Sequence, residues 1–201
     1  MSAPIPLRRN ILVIKHGALG DFALAQGPMM AIRAHHLADR VVLLTTAPFA
    51  DFAAASGMFD EIRVDSRPRF FQPGGWLRLI RWLRGGGFDR VYDLQTSDRS
   101  SLYFRLFPRP RPEWSGIARG ASHRHDNPDR VRMHTVERQA EQLRIAGILH
   151  VPSTDLGWAT ADITRFALSQ PYAVLAPGGS VHRADKRWPS RNFGELAAML
   201  V

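Results

Sequence analysis

Four short apolar runs constrain this chain more than any other feature: ILVI at 11–14, RVVLLTT at 40–46, EIRV at 61–64 and FDRVYDL at 88–94. Each is followed by a stretch with helical spacing, at 21–36, 47–56, 74–85 and 97–107. Consecutive apolar positions suit strands buried on both faces, and strands alternating with helices suit a parallel sheet covered on both sides. Right-handed crossovers then give a doubly wound, Rossmann-like α/β unit. Within 21–36, Pro28 is placed to begin a fresh helical segment, because its fixed φ and missing N–H cost little in a first turn.

The pattern changes after Phe107. Residues 108–132, rich in Pro, Arg, His and Asp, read as one long loop, and loops of that length inside a compact domain tend to be functional or mobile. Helical spacing resumes over 133–147, with Val136, Leu143 and Ala146 on one face and Gly147 as a stop. A looser segment, 148–170, leads to YAVLAPGGS at 172–180, which predicts a strand and a glycine turn, and to a helix over 188–201 with Ser190 as N-cap. One strand and one helix cannot bury themselves. The expected organisation is therefore a domain at 1–150, a linker at 151–170, and at 171–201 the start of a second, incomplete domain.

Composition sets the outer bounds. With 201 residues and 45% apolar content the chain can bury a substantial core. It has no cysteine, which excludes disulfides, thiolate zinc sites and cysteine nucleophiles. MSAPIPLRRN lacks the apolar stretch of an export signal and no 18 apolar residues run together, so a cytoplasmic protein is expected. The formal net charge of +9 favours an anionic partner: nucleic acid, a phosphorylated sugar or lipid, or a membrane surface. Arginine is dispersed and no recognition motif is present, which counts against specific nucleic-acid binding. Lysine occurs only at Lys15 and Lys186, both in glycine-bearing loops behind apparent strands.

Directly behind the first run stands KHGALGDF, 15–22. Gly17 and Gly20 let the backbone turn off a strand and approach a ligand, and free amides at the following helix start favour an anion there. The full dinucleotide fingerprint is absent. Asp21 has two readings: a helix-start carboxylate that caps amides, or a general base at the carboxyl edge of a parallel sheet, where open α/β folds bind ligands.

Four blocks in order, ILVIKHGALGDFALAQGPMMAIR, FDRVYDLQTSDRSS, MHTVERQAEQLRIAG and VLAPGGSVHRADKRWPSRNFGELA, resemble glycosyltransferase family 9, the ADP-heptose:lipopolysaccharide heptosyltransferases. The resemblance implies a two-domain GT-B architecture, inversion at the sugar carbon and no metal or other cofactor. The N-terminal domain would hold the acceptor, and the C-terminal domain the nucleotide-sugar donor. Asp21 matches the family's catalytic aspartate, Lys15 a lysine facing the anionic acceptor, and Lys186 the lysine that meets the donor phosphates. Such a transfer needs a base at the nucleophile and positive charge where a diphosphate leaves, which Asp21 and Lys186 can supply. The partners implied are an ADP-sugar and an acidic lipopolysaccharide core or lipid-linked acceptor. The 201-residue chain by itself is expected to be inactive.

Several other positions are candidates with a plain structural alternative. Gly178, Gly179 and Ser180 offer amides and a hydroxyl to donor phosphates, or simply form a strand-to-helix turn. Asp98 and Arg99, past a strand end, either touch acceptor or begin a solvated helix. His134 belongs to a family block and opens a helix, where a histidine also serves as a cap. HRHD, 123–126, resembles a metal ligand set but lacks companions at fixed spacing, so no metal is expected. In WLRLIRWLR, 76–84, Arg78, Arg81 and Arg84 share one side and Trp76, Leu79, Ile80 and Leu83 another. Leu77 among the arginines leaves open either a helix that merely covers the sheet or a patch for the inner face of the cytoplasmic membrane. A basic module that only binds acceptor or nucleic acid, without catalysis, is the competing functional class.

Overall fold

The computed structural model of the chain describes residues 8–178 and 187–200. They divide into two compact units, Met1–Thr160 and Ala161–Val201. In the first, strands and helices alternate: β1 (Asn10–Ile14), α1 (Leu19–Leu24), α2 (Gln26–His35), β2 (Arg40–Thr45), α3 (Ala47–Ala55), β3 (Glu61–Val64), α4 (Pro73–Gly85), β4 (Arg90–Asp93) and α5 (Asp98–Leu106). There follow β5 (Glu113–Gly116), β6 (His123–Arg124), a 3-10 turn (Pro128–Val131) and α6 (Thr135–Ile145). Pro28 lies in the first turn of α2, as expected.

The six strands form one sheet in the order β3-β2-β1-β4-β5-β6, every pair parallel. This is the doubly wound order, in which the succession of strands reverses between β1 and β4; ligands in such sheets bind beyond the carboxyl ends of the strands at that point. Period-2 alternation along β1 builds two cores. Ile11 and Val13 pack with Phe22, Met29, Ile32 and Leu143 on one face, and Leu12 and Ile14 with Leu79, Leu83, Tyr103 and Phe104 on the other. Each such aliphatic side chain, fully buried, contributes about 2 kcal/mol relative to exposure.

Helix α4 covers the sheet with Leu79 and Leu83 while Arg78, Arg81 and Arg84 face solvent. Residues 108–132, expected as one long loop, instead contain β5, β6 and the 3-10 turn. EWSG and HR are too short to show a period; they become strands because β4 and then β5 offer them open edges.

In the second unit a 3-10 turn spans Thr164–Phe166, and α7 spans Ser190–Leu200, beginning at the residue expected to cap it. The strand expected at 172–180 is absent over 172–178, where the backbone is irregular and mostly exposed. No other strand of that unit is present among the described residues to pair its amides and carbonyls, and an unpaired strand has no ladder to hold it.

Candidate functional site

The site begins where β1 ends. Lys15 extends the ladder, its N–H donating to Leu44 O at 3.0 Å, and its side chain turns inward: Lys15 is only 4% exposed and Nζ donates to Leu94 O at 3.4 Å. Burial lowers its pKa, as does Arg138, against the opposing fields of Asp21 and Asp93. His16 is held on three sides. Its N–H donates to Gln95 Oε1 at 2.9 Å, its carbonyl accepts from Thr46 Oγ1 at 2.8 Å, and Nε2 lies 3.1 Å from Asp65 Oδ2, outside hydrogen-bond alignment.

Gly17 follows at φ +116°, and a Cβ there would lie 2.2 Å from the Phe49 ring, so both conformation and space require glycine. Gly20 is different: it lies in α1 with open space around it, and nothing local demands a glycine. Asp21, in the first turn of α1, is exposed. Its carboxylate takes no hydrogen bond from the helix amides, and no ion pair holds it among the described residues. The capping alternative for Asp21 is therefore not realised in this structure.

Across the reversal point, β4 ends in Asp93, fully buried. Its Oδ1 accepts from the amides of Gln95 at 3.1 Å and Thr96 at 2.9 Å, which forms the turn into α5. Burial pushes its carboxyl up to about 6, despite those amides and the Lys15 charge. Ser97 then caps α5 in a reciprocal capping box with Ser100.

Of the two candidates there, Asp98 is exposed, whereas Arg99 is engaged in the scaffold: Nε donates to Tyr103 Oη at 2.8 Å, Nη2 to Pro68 O at 2.8 Å, and the guanidinium lies 5.0 Å from the Trp76 ring centre. Tyr103 in turn donates to Asp65 Oδ2 at 2.6 Å. Burial pushes Asp65 up, but contacts from His16, Tyr103 and the Arg67 amide together hold it below the usual carboxylate value.

His134 is the N-cap of α6, its Nδ1 accepting from Val136 N at 3.4 Å. His125 of the HRHD stretch is buried with Nε2 3.6 Å from Glu141 Oε2. Gly178 is exposed with open space about it, while Gly179, Ser180 and Lys186 lie outside the described residues.

Residues 76–201, well over half of the chain, match the family model for glycosyltransferase family 9 (heptosyltransferase). The chain belongs to glycosyltransferase family 9. A search of curated proteins gives no match.

Among solved structures, the glycosyl transferase family 9 protein from Veillonella parvula DSM 2008 superposes with a TM-score of 0.70 at 18% identity, over 98% of this chain and 60% of its own. E. coli ADP-heptose lps heptosyltransferase II gives 0.67 at 19% identity, covering 95% and 61%. E. coli heptosyltransferase WaaC with ADP gives 0.66 at 20% identity, covering 95% and 64%. The chain thus shares the fold of these family 9 proteins and spans less than two thirds of the length of each.

Sequence reasoning missed His16 and Asp65, which lie 3.1 Å apart behind the turn out of β1, and Asp93, which forms the turn into α5. A signal was present: Asp65 follows β3 immediately and Asp93 ends β4, so both acids stand at the carboxyl edge of a parallel sheet.

Proposed function

We propose that this chain is the acceptor-binding part of an inverting glycosyltransferase that moves a heptose or related sugar from an ADP-sugar to a lipopolysaccharide core acceptor. The observation carrying this reading is the exposed carboxylate of Asp21, in the first turn of the helix that follows β1 at the reversal point of a family 9 fold.

In that role Asp21 accepts the proton of the acceptor hydroxyl as its oxygen forms a bond to the anomeric carbon. The bond from that carbon to the diphosphate breaks on the opposite face, and ADP leaves with the electron pair. Lys186 meets the charge that gathers on the diphosphate, a task for which a compact ammonium is suited. No step calls for a metal. Lys15 and the backbone at Gly17 and Gly20 line the acceptor side, with Asp98 and His134 at its margin.

The acceptor is lipid-linked in this reading, so the protein works in the cytoplasm against the inner leaflet. No helix among the described residues is long and apolar enough to cross a membrane. Surface contact is supported instead by Phe70 and Phe71, 94% and 74% exposed between Arg69 and Arg78.

The test is transfer from ADP-heptose to a core acceptor by the whole protein. Asp21→Asn is expected to lower kcat by about 100- to 10,000-fold, the usual contribution of a general base, with donor binding kept. Unchanged kcat in that variant removes Asp21 from the role.

A further inference from the structure

Helix α1, which carries Asp21, does not fix its own position. It is six residues long, and isolated helices below roughly 12 residues are marginal in water. Its N-cap, Ala18, has no side chain that can hold the first amides. Phe22 anchors one side of the helix, stacked on Phe49 with ring centres 5.1 Å apart. Where the helix begins is set by the turn before it.

That turn is held at His16, which is buried, by residues that stand just past the two strands flanking β1. On the β2 side, Thr46 Oγ1 donates to His16 O at 2.8 Å. On the β4 side, His16 N donates to Gln95 Oε1 at 2.9 Å. A backbone N–H can only donate, so the side-chain atom facing it is the amide oxygen.

Gln95 is itself tied to the core. Its N–H donates to Oδ1 of the buried Asp93 at 3.1 Å, and the next amide, that of Thr96, donates to the same oxygen at 2.9 Å. Thr96 takes φ +44°, a conformation that β-branched residues rarely adopt, and the two amide bonds offset its strain. Asp93, Gln95 and His16 thus form a hydrogen-bonded relay from the buried end of β4 to the entry of α1. Removing the Gln95 oxygen leaves the His16 amide buried without its acceptor, and the turn must shift to satisfy it.

We propose that Gln95 is a positioning residue for sugar transfer: by holding His16 it sets where α1 begins, and so where the Asp21 carboxylate stands against the acceptor hydroxyl. This role rests on the reading of Asp21 as the base. A base works only within hydrogen-bond reach of its proton, and a misplacement of about 1 Å costs about 100-fold in rate.

The experiment uses the whole protein, with transfer from ADP-heptose to a core acceptor. Gln95→Met keeps the length of the side chain and removes the acceptor; it is expected to lower kcat by about tenfold or more with donor KM within about twofold. In an Asp21→Asn background the same change should lower kcat by less than about twofold, because displacing a base that is already absent costs nothing more. Amide hydrogen exchange at His16 supplies a readout without turnover: faster in Gln95→Met, and still slow in Gln95→Glu, which keeps an oxygen at that place. Circular dichroism shows whether Gln95→Met is folded, and Gln95→Ala takes its place if it is not.

Parental kcat in the folded Gln95 variant, an equal loss with and without Asp21, or unchanged exchange at His16 would each overturn the proposal. The two readings fail differently. Unchanged kcat in Asp21→Asn removes the base and this role with it, whereas a slow Asp21→Asn beside a Gln95→Met of parental kcat removes the role of Gln95 alone.

Discussion

Gly17 and Gly20 stand three apart, one in the turn out of β1 and the other in α1, and answer to different constraints. At Gly17 a side chain meets both a left-handed backbone and the Phe49 ring, so Gly17→Ala should cost about 3 kcal/mol of stability, strain and overpacking combined. Gly20→Ala enters open space inside a helix and should raise stability by about 0.5 kcal/mol. Urea denaturation of the two variants measures both signs. The sequence paired these glycines because their spacing is all it displays; the neighbour that separates them, Phe49, is 32 positions from Gly17.

Asp93 gives a second residue-scale prediction. Its folded pKa, raised to about 6 from 3.8, means that the ionised form is disfavoured in the folded state. The penalty is absent below pH 4, grows as pH rises from about 4 to 6, and is then constant at about 3 kcal/mol. The stability difference between Asp93→Asn and the parent should therefore move in favour of the variant across that window and level off above it. A difference that stays flat between pH 4 and 7 would contradict this; chemical unfolding at a series of pH values reads it.

At the scale of elements, α4 and α5 show how far periodicity reaches. The arginine stripe and the apolar stripe of α4 were legible from 100° spacing, and the sheet buries Leu83 while leaving Leu77 58% exposed. Leu83→Ala should cost about 2–5 kcal/mol and Leu77→Ala less than about 0.5 kcal/mol. For α5 the decisive feature is the cap: Ser97→Ala removes the half of the capping box in which Ser97 Oγ accepts from Ser100 N, keeps the Ser97 N–H to Ser100 Oγ bond, and should cost about 1 kcal/mol, seen as a lower urea midpoint with unchanged slope. β5 and β6 were not legible at all. A four-residue strand with one large apolar side chain, Trp114, carries no period, and its state is set by the open edge of β4. The opposite error, a strand expected at 172–180, has the same root: an apolar run is a strand only where another strand accepts its backbone.

For the whole molecule, charge and topology act together. The Arg-rich, Phe-tipped surface around residues 67–78 should bind anionic vesicles and not zwitterionic ones at low salt. Phe70→Ser with Phe71→Ser should lower the bound fraction by about threefold or more, measured by cosedimentation, because insertion and charge attraction each contribute. Composition alone implied an anionic partner, but it could not say which arginines were already matched. The sequence by itself determined the first four strands, the helices between them, and the turn from β1 into α1 that carries Lys15 and leads to Asp21, because these follow from apolar spacing and glycine positions within a few residues. The tertiary structure decided the outer strands, the engagement of Arg99 with Tyr103 and Pro68, the burial of Asp93, and the meeting of Lys15 and Gln139 at Leu94 O. Those outcomes depend on pairing and packing between segments as many as 79 positions apart, as for Lys15 and Leu94, and a local pattern holds no record of such neighbours.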